Sequence, residues 1–550
     1  MQKLERNKPY KNTSPLVTIN RIRQILFDND IFVIESAQRI EPVTGVCSCR
    51  LILGDEGLRE LDIGSNGKGM DAKYALASAY AEFVERLQNG ATLWKICGIP
   101  DSVPGAVEVN REEYEKAARC LLHMAFGESA IDDKMFSRIV GKANNKVIVF
   151  KEYTSKESVC FPAKLYNIMT GSNGMAAGNT VLEATIQGLS EVFERAALQK
   201  LFLNQITPPT IDEALFEGTE VLNRLRELKR YGISFRILDC SINQKLPVIG
   251  LLLEKKQKYH IHFGADPSPI TALERCLTET FQGRLIEELP LYEPLSKDEG
   301  LLTLYDNEKK EFTDSTGRVP IWIVDGEPTY SFEGFEHPIT ISDEDDMNYY
   351  MDILNHLGKK LYIWESDILG FPTVRIYVPG MTENHCFDIT SCLEKPIPKN
   401  ISHFMKRLPL LNDAKYEALA QSVKIWLRKD FGINEAEDFP TGEFLGLKFT
   451  LPVGTFPGKY WEDRLIVAAI YLRGGISEQG SELLEICIKD GSLSTSNADL
   501  LRIRLKSKLL TFTPTEWPEC PNCDNCGARQ KCFQSEVNGF ALKLSALLRL

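Results

Sequence analysis

The sequence predicts a mixed α/β domain followed by an all-helical C-terminal region. Three observations predict it. Over the first 400 residues short β-rich runs such as "GISFRILDC", "LPVIGLLLE" and "VRIYVPGM" are interspersed with helical patterns. Two segments there, "SNGKGMDAKYALASAYAEFVER" (65–86) and "SNGMAAGNTVLEATIQGLSEVFER" (172–195), repeat one plan: a Ser-Asn-Gly loop, a helix of small residues and a terminal Glu-x-x-Glu-Arg. Beyond "EKPIPKNISHF" only helical patterns follow one another.

Taken in order, "PYKNTSPLVTINRIRQILFD" is a turn-forming stretch leading into a helix, with Ile19, Ile22, Ile25 and Leu26 at helical spacing. "IFVIESA" and "GVCSCRLILG" read as strands, the second carrying Cys47 and Cys49 on one face as packing residues. The first loop-helix unit comes next, then a polar helical insertion around 100–145 that includes "NREEYEKAARCLLHMAF", then the second unit. The strands "GISFRILDC" and "LPVIGLLLE" precede a third loop-helix, "GADPSPITALERCLTETFQGR"; after a further insertion, "FPTVRIYVPGMTE" is a strand ending at a Pro-Gly turn. The boundaries fall at 1–398, 399–515 and 516–550, the last holding a Cys-rich knuckle and a terminal helix. The middle part contains "KYEALAQSVKIWLRKDF", "WEDRLIVAAIYLRGG" and "SELLEICIKDG", read as paired helices.

Composition narrows the function classes. With 43% hydrophobic and 25% charged residues the chain is of the ordinary soluble globular type. "MQKLERNKPYKN" has no apolar core of a leader and no window is apolar enough to span a bilayer, so a cytoplasmic protein without membrane contact is expected. The 76 acidic and 64 basic residues leave a formal charge of -12, which disfavours direct nucleic-acid binding. The 14 cysteines in a cytoplasmic setting read as reduced thiols.

The two Glu-rich helices carry the chemistry. At 100° per residue Glu183, Gln187, Glu191 and Glu194 fall within an arc of roughly 80°, and Ser78, Glu82 and Glu85 within roughly 60°. A single such stripe is an ordinary solvated face with ion pairs worth a few tenths of a kcal/mol. Here both helices are rich in Ala, Leu and Phe, as buried helices are, so their carboxylates need compensation. Both follow glycine-rich loops, whose N–H groups at a helix start suit an anion. Carboxylates facing phosphates require bridging cations, and Mg2+ takes oxygen ligands from both; the pattern points to a Mg-ATP site. "GSNGKGM" is not a Walker phosphate loop, because Asp62 stands five before Gly67 and Gly69 where Ser or Thr is needed.

Together, "SNGKG" with "ASAYAEFVER", "SNGMAAGNT" with "GLSEVFER", "GADPSPITALERCLTETFQGR" and "VRIYVPGM" resemble the YcaO family over about residues 5–395. The tail is similar, more diffusely, to the tetratricopeptide-like helices of the family's stand-alone bacterial member. The resemblance implies an ATP-binding α/β domain that phosphorylates a backbone amide oxygen, after which a nucleophile yields an azoline, thioamide or amidine. It implies Glu82, Glu183, Glu191 and Glu194 as Mg2+ ligands, with Ser78, Glu85 and Asn179 lining the nucleotide site and Lys11, Arg195 and Arg284 facing phosphates. Thr18 retains a hydroxyl where the stand-alone member has serine; Ala176 lacks one. No residue stands out as general base.

Azoline-forming members end in a proline-rich tail, whereas this chain ends "FALKLSALLRL". The resemblance therefore implies first an accessory factor in β-methylthiolation of a small-subunit ribosomal protein, with a RimO-like radical SAM methylthiotransferase as partner. Thioamide or amidine formation on a peptide or protein backbone is the second reading, and a nucleotide-regulated scaffold the third. A homodimer through the helical tail is expected.

Three lesser signals remain. Cys520, Cys523, Cys526 and Cys532 form a C-x2-C-x2-C-x5-C array that suits either structural zinc or an iron-sulfur cluster. His260 and His262 share a strand face and read as packed or exposed. Arg375, a lone base in an apolar strand, reads as buried against a carboxylate.

Overall fold

The computed structural model describes residues 4, 11, 13–36, 38–54, 63–92, 103–127, 133–140, 145–243, 246, 248–335, 341–384, 401, 411–428, 433–439, 449–450, 463–489, 513–514, 543–544 and 546–548. Its first strands are β1 (Val33–Glu35), β2 (Arg39–Ile40), β3 (Cys47–Leu53), β4 (Gly64–Gly69), β5 (Val107–Glu108), β6 (Lys146–Glu152), β7 (Ser158–Pro162) and β8 (Met175–Ala177). β9 (Thr210–Ile211), β10 (Ser234–Asp239), β11 (Val248–Lys255), β12 (Lys258–Ala265), β13 (Tyr362–Ser366) and β14 (Thr373–Tyr377) follow.

These make three antiparallel sheets. In the first, β1, β2 and β4 all pair with β3. The second runs β5-β6-β13-β14-β8 with β7 on β6, and the third β12-β11-β10-β9. The second-unit helix, Val181–Leu203, lies between the latter two: Leu189, Val192 and Phe193 share a core with Ile376 and Val374 on one side and Leu252 and Ile261 on the other. Burial on both sides explains why its sequence is apolar almost all round, the carboxylate stripe excepted.

All three units are built as strand, cap, helix. β4 leads to Ala72–Gln88, β8 to Val181–Leu203 and β12 to Pro269–Thr280, with Asp71, Thr180 and Ser268 as N-caps. The first Ser-Asn-Gly is thus not a loop but part of β4, paired to β3 through Asn66↔Arg50 and Gly67↔Cys49. Its glycine serves close approach, since a Cβ on Gly67 would lie 1.9 Å from the Ala75 carbonyl oxygen. Gly264 does the same in the third unit, 2.2 Å from the Ala272 oxygen. Helices of small residues are needed for strands to lie this near. Cys47 and Cys49 are buried, as expected of packing residues.

Beyond residue 400, the helices Asp413–Trp426, Asp463–Arg473 and Ser477–Lys489 build a separate core around Leu419, Val423, Ile466, Ile470 and Leu484. The expectation of an all-helical region is corrected by a short antiparallel pair, β15 (Phe449–Thr450) with β16 (Thr513–Pro514). Leu544 and Leu548 pack far back in the chain's order, against Ile19, Ile22 and Leu26 of the N-terminal helix Pro15–Asp28. Among the described residues no helix is long and apolar enough to cross a membrane. Cys520, Cys523, Cys526 and Cys532, and the boundary near 398, lie outside the described residues.

Candidate functional site

The site is built from the facing stripes of the first two unit helices. On Ala72–Gln88, Arg86 pairs with both carboxylates of its own stripe, at 3.6 Å from Glu82 and 3.4 Å from Glu85. Ser78 lies one turn before Glu82 and is partly buried. On Val181–Leu203, Arg195 pairs with Glu191 at 2.7 Å and rests over the Phe312 ring. These are not solvated faces: Glu85 is 9% exposed, and Glu191 and Arg195 only 23% and 21%.

The stripes share one electrostatic environment. Burial, reinforced by Glu82 of its own helix and Glu191 of the other, pushes Glu85 up to about 8, against the opposing pull of Arg86 and Arg195. Burial also pushes Glu194 up to about 7, with Glu191 adding to it and Lys68 and Arg275 opposing. Both shifts arise first from burial, so the two carboxylates sit where a nearby cation would stabilise their ionised forms.

A second group adjoins at the start of the second helix. Lys11 reaches Glu183 at 3.4 Å, and the Asn179 amide donates to the same carboxylate at 3.2 Å. Thr18 donates to Asn179 Oδ1 at 2.8 Å, and Arg21 to the Asn179 carbonyl at 3.3 Å. Thr180 caps the helix by accepting from the Glu183 N–H. Glu183 and Glu191 are eight residues apart, about 12 Å along the axis at 1.5 Å per residue. That separation is too long for one ion and suits a polyphosphate lying along the helix.

The third unit contributes cations. Arg275 donates to Gln187 at 2.9 Å and to Asp266 at 3.1 Å, tying the helix Pro269–Thr280 to the carboxylate stripe. Lys68 forms an ion pair with Glu279 of that helix. Arg284 follows it, and its charge acts on the buried ring of His262, as does that of Lys68. Lys68, Arg86 and Arg275 were not anticipated from the sequence. With the segment paired to β3 as a strand, Gly67 and Gly69 against the helix put Lys68 on the other face.

Two expectations are corrected and a third is narrowed. The helix starts do not offer an open anion cradle, because the Asp71 carboxylate already accepts from the N–H groups of Lys73 and Tyr74, and Thr180 from that of Glu183. Of the two arrangements expected for His260 and His262, packing is the one found: both are buried, their rings meet edge-on at 4.5 Å, and burial holds His260 down to about 3. Arg375 is buried among amides, donating to Oδ1 of Asn89, Oδ1 of Asn167 and the Asn89 carbonyl, with the Tyr166 and Trp364 rings alongside. A helix C-terminus supplies that carbonyl, whose dipole favours a cation. Ala176 sits fully buried in β8.

The YcaO family model, described as YcaO cyclodehydratase, ATP- and Mg2+-binding, matches residues 66–382. The chain belongs to the YcaO family. Both unit helices and the third unit through Arg284 fall inside the match. The chain is 28% identical over 401 residues to the "Ribosomal protein S12 methylthiotransferase accessory factor YcaO" of Escherichia coli, covering 68% of this chain and 66% of that protein. It is 29% identical over 375 residues to an uncharacterised Haemophilus influenzae protein, covering 64% of this chain and 62% of that one. It thus spans somewhat less than two thirds of the length of each. A solved YcaO from Methanopyrus kandleri, bound with AMPPCP and Mg2+, superposes with a TM-score of 0.46 at 20% identity, over 69% of this chain and 95% of that one.

The YcaO donor set fits Mg2+ and a nucleotide. Glu85 and Glu194 are pushed up mainly by burial, with Glu191 adding to both, so a divalent cation held among the neighbouring carboxylate oxygens would relieve them. Among the described residues no three His, Cys, Asp or Glu side chains converge into a ready metal cage. Magnesium does not require one, since it keeps waters and takes phosphate oxygens beside one or two carboxylates.

Proposed function

We propose that this YcaO chain binds Mg-ATP along the second-unit helix and activates a backbone amide of a peptide or protein. The supporting observation is the meeting of two Glu stripes, from Ala72–Gln88 and Val181–Leu203, where Glu191 of the second raises the proton affinity of Glu85 in the first. Glu82, Glu183, Glu191 and Glu194 would hold the Mg2+ ions, and Ser78, Glu85, Thr18 and Asn179 would line the nucleotide. Lys11, Arg195 and Arg284 would face the phosphates. Bound Mg-ATP would supply a phosphoryl group and neutralise the charge developing on it.

The chain's own residues prepare that site. Thr18 and Asn179 orient Glu183 through successive hydrogen bonds. Arg86 and Arg195 hold Glu82, Glu85 and Glu191 in place, on helices whose buried faces fix their direction. The acceptor of the phosphoryl group is the substrate amide oxygen, so no protein nucleophile is needed.

The biological setting we infer is an accessory role in β-methylthiolation of a small-subunit ribosomal protein, beside a RimO-like radical SAM enzyme. Its support is the likeness to the accessory factor of Escherichia coli. The helical region beyond residue 400, read as tetratricopeptide-like, would dock a second copy of the chain. The test is incubation with Mg-ATP and a cell extract containing the candidate partners, using substrate labelled with 18O in its amides. Transfer of label into phosphate is the expected result; ATP turnover without transfer would overturn amide activation.

A further inference from the structure

We propose that Lys68 is a further phosphate-contacting residue of the site, swinging from the carboxylates onto the nucleotide when it binds. The inference rests on the Mg-ATP reading and adds a residue to it.

Ser65 of β4 hydrogen-bonds the Ala79 carbonyl at 2.7 Å, and Gly67 and Gly69 lie against the same helix. With alternate residues on opposite faces, Lys68 projects away from that helix and toward the third unit. There its ammonium pairs with Glu279 on the last turn of Pro269–Thr280. It also lies within electrostatic reach of Glu194, Glu82 and Glu191, with Arg275 and His262 as its other charged or titratable neighbours. One ammonium thus touches the fields of all three units.

The side chain is 30% exposed, so solvent and ligand reach it. Protein atoms nonetheless surround it closely enough for desolvation to be the first influence on its ammonium, and it is lowered from the usual lysine value. Surrounded but reachable is what a wall of a recess looks like. Lysine is a compact charge on a flexible four-carbon stem, so it can exchange one oxygen partner for another without moving the backbone. Without nucleotide it partly offsets the carboxylates. With Mg2+ on those carboxylates, its attraction to them weakens and phosphate oxygens become the stronger partner.

Two readouts on the full chain test this. The first is calorimetric binding of Mg2+ with a non-hydrolysable ATP analogue; the second is binding of Mn2+ alone, followed by electron paramagnetic resonance. Lys68→Met should weaken the analogue roughly tenfold and strengthen Mn2+ alone several-fold, because a cation beside the metal carboxylates has been removed. Lys68→Arg should keep most of the analogue affinity. Analogue binding within twofold of wild type in a folded Lys68→Met chain overturns the proposal, and weaker Mn2+ binding does so too. Should Lys68→Met not fold, Lys68→Gln carries the same expectations and the same contradictions. Failure of the wild-type chain to bind the analogue would sink the Mg-ATP reading and this inference with it; normal wild-type binding with an unaffected Lys68 variant sinks this inference alone.

Discussion

Thr18 donates its hydroxyl proton to Oδ1 of Asn179 across 2.8 Å, although 161 positions separate the two residues. The bond fixes the amide so that Nδ2 points at Glu183. It also pins the N-terminal helix to the start of the second-unit helix. Thr18→Ala should therefore loosen Mg-ATP about fivefold, the equivalent of about 1 kcal/mol for one hydrogen bond. Thr18→Ser should restore it, and calorimetric titration distinguishes the two.

The high proton affinities of Glu85 and Glu194 give a stability prediction with a defined sign. Their folded values, about 8 and about 7, lie above the usual carboxylate value of 4.5. The native state therefore binds more protons than the unfolded state between those limits. That contribution is complete below about pH 4.5 and is lost as pH rises through 7 to 8. The melting temperature of the nucleotide-free protein should fall from pH 5.5 to 8.5, and Glu85→Gln should flatten the fall. Mg2+ requires the ionised carboxylates, so it should raise the melting temperature more at pH 8 than at pH 6.

Arg375 is 1% exposed and bonded to neutral groups from two other elements, Asn89 at the end of the first-unit helix and Asn167 of the helix Ala163–Thr170. Removal strands three buried acceptors, and lysine cannot reproduce the planar fork. Arg375→Lys should cost on the order of 2–4 kcal/mol of stability, read from denaturant unfolding.

Leu548 is fully buried in the core that carries Ile19, Ile22 and Leu26. Lys543 donates to the Asp30 carbonyl beside it. Leu548→Ala should destabilise by roughly 2–5 kcal/mol. Hydrogen exchange should show lost protection in Pro15–Asp28, the helix that presents Thr18, rather than in the helices around Leu419.

The stripes were legible in sequence because a helix imposes its period on local positions: Glu82 with Glu85, and Glu183 with Glu191 and Glu194, share faces wherever the helix lies. Asn179 and Glu183 meet locally too, across the N-cap Thr180 at the helix start. Lys68 was hidden because Gly-Lys-Gly reads equally as loop or strand, and only pairing with β3 decides which face the lysine takes. The partners of Arg375 were illegible because carboxylate and amide oxygens serve a guanidinium alike, and Asn89 lies 286 positions away. The return of Leu548 to the N-terminal helix leaves no local trace at all.

Glu191 raises the proton affinity of both Glu85 and Glu194 and so joins the two Glu stripes proposed as one Mg-ATP site. Calorimetric titration of wild-type and Glu191→Ala chains with a non-hydrolysable ATP analogue, with and without Mg2+, tests it most directly. Saturable wild-type binding that requires Mg2+ and falls at least tenfold in Glu191→Ala is the predicted result. Equal binding by both chains, or wild-type binding indifferent to Mg2+, would contradict it.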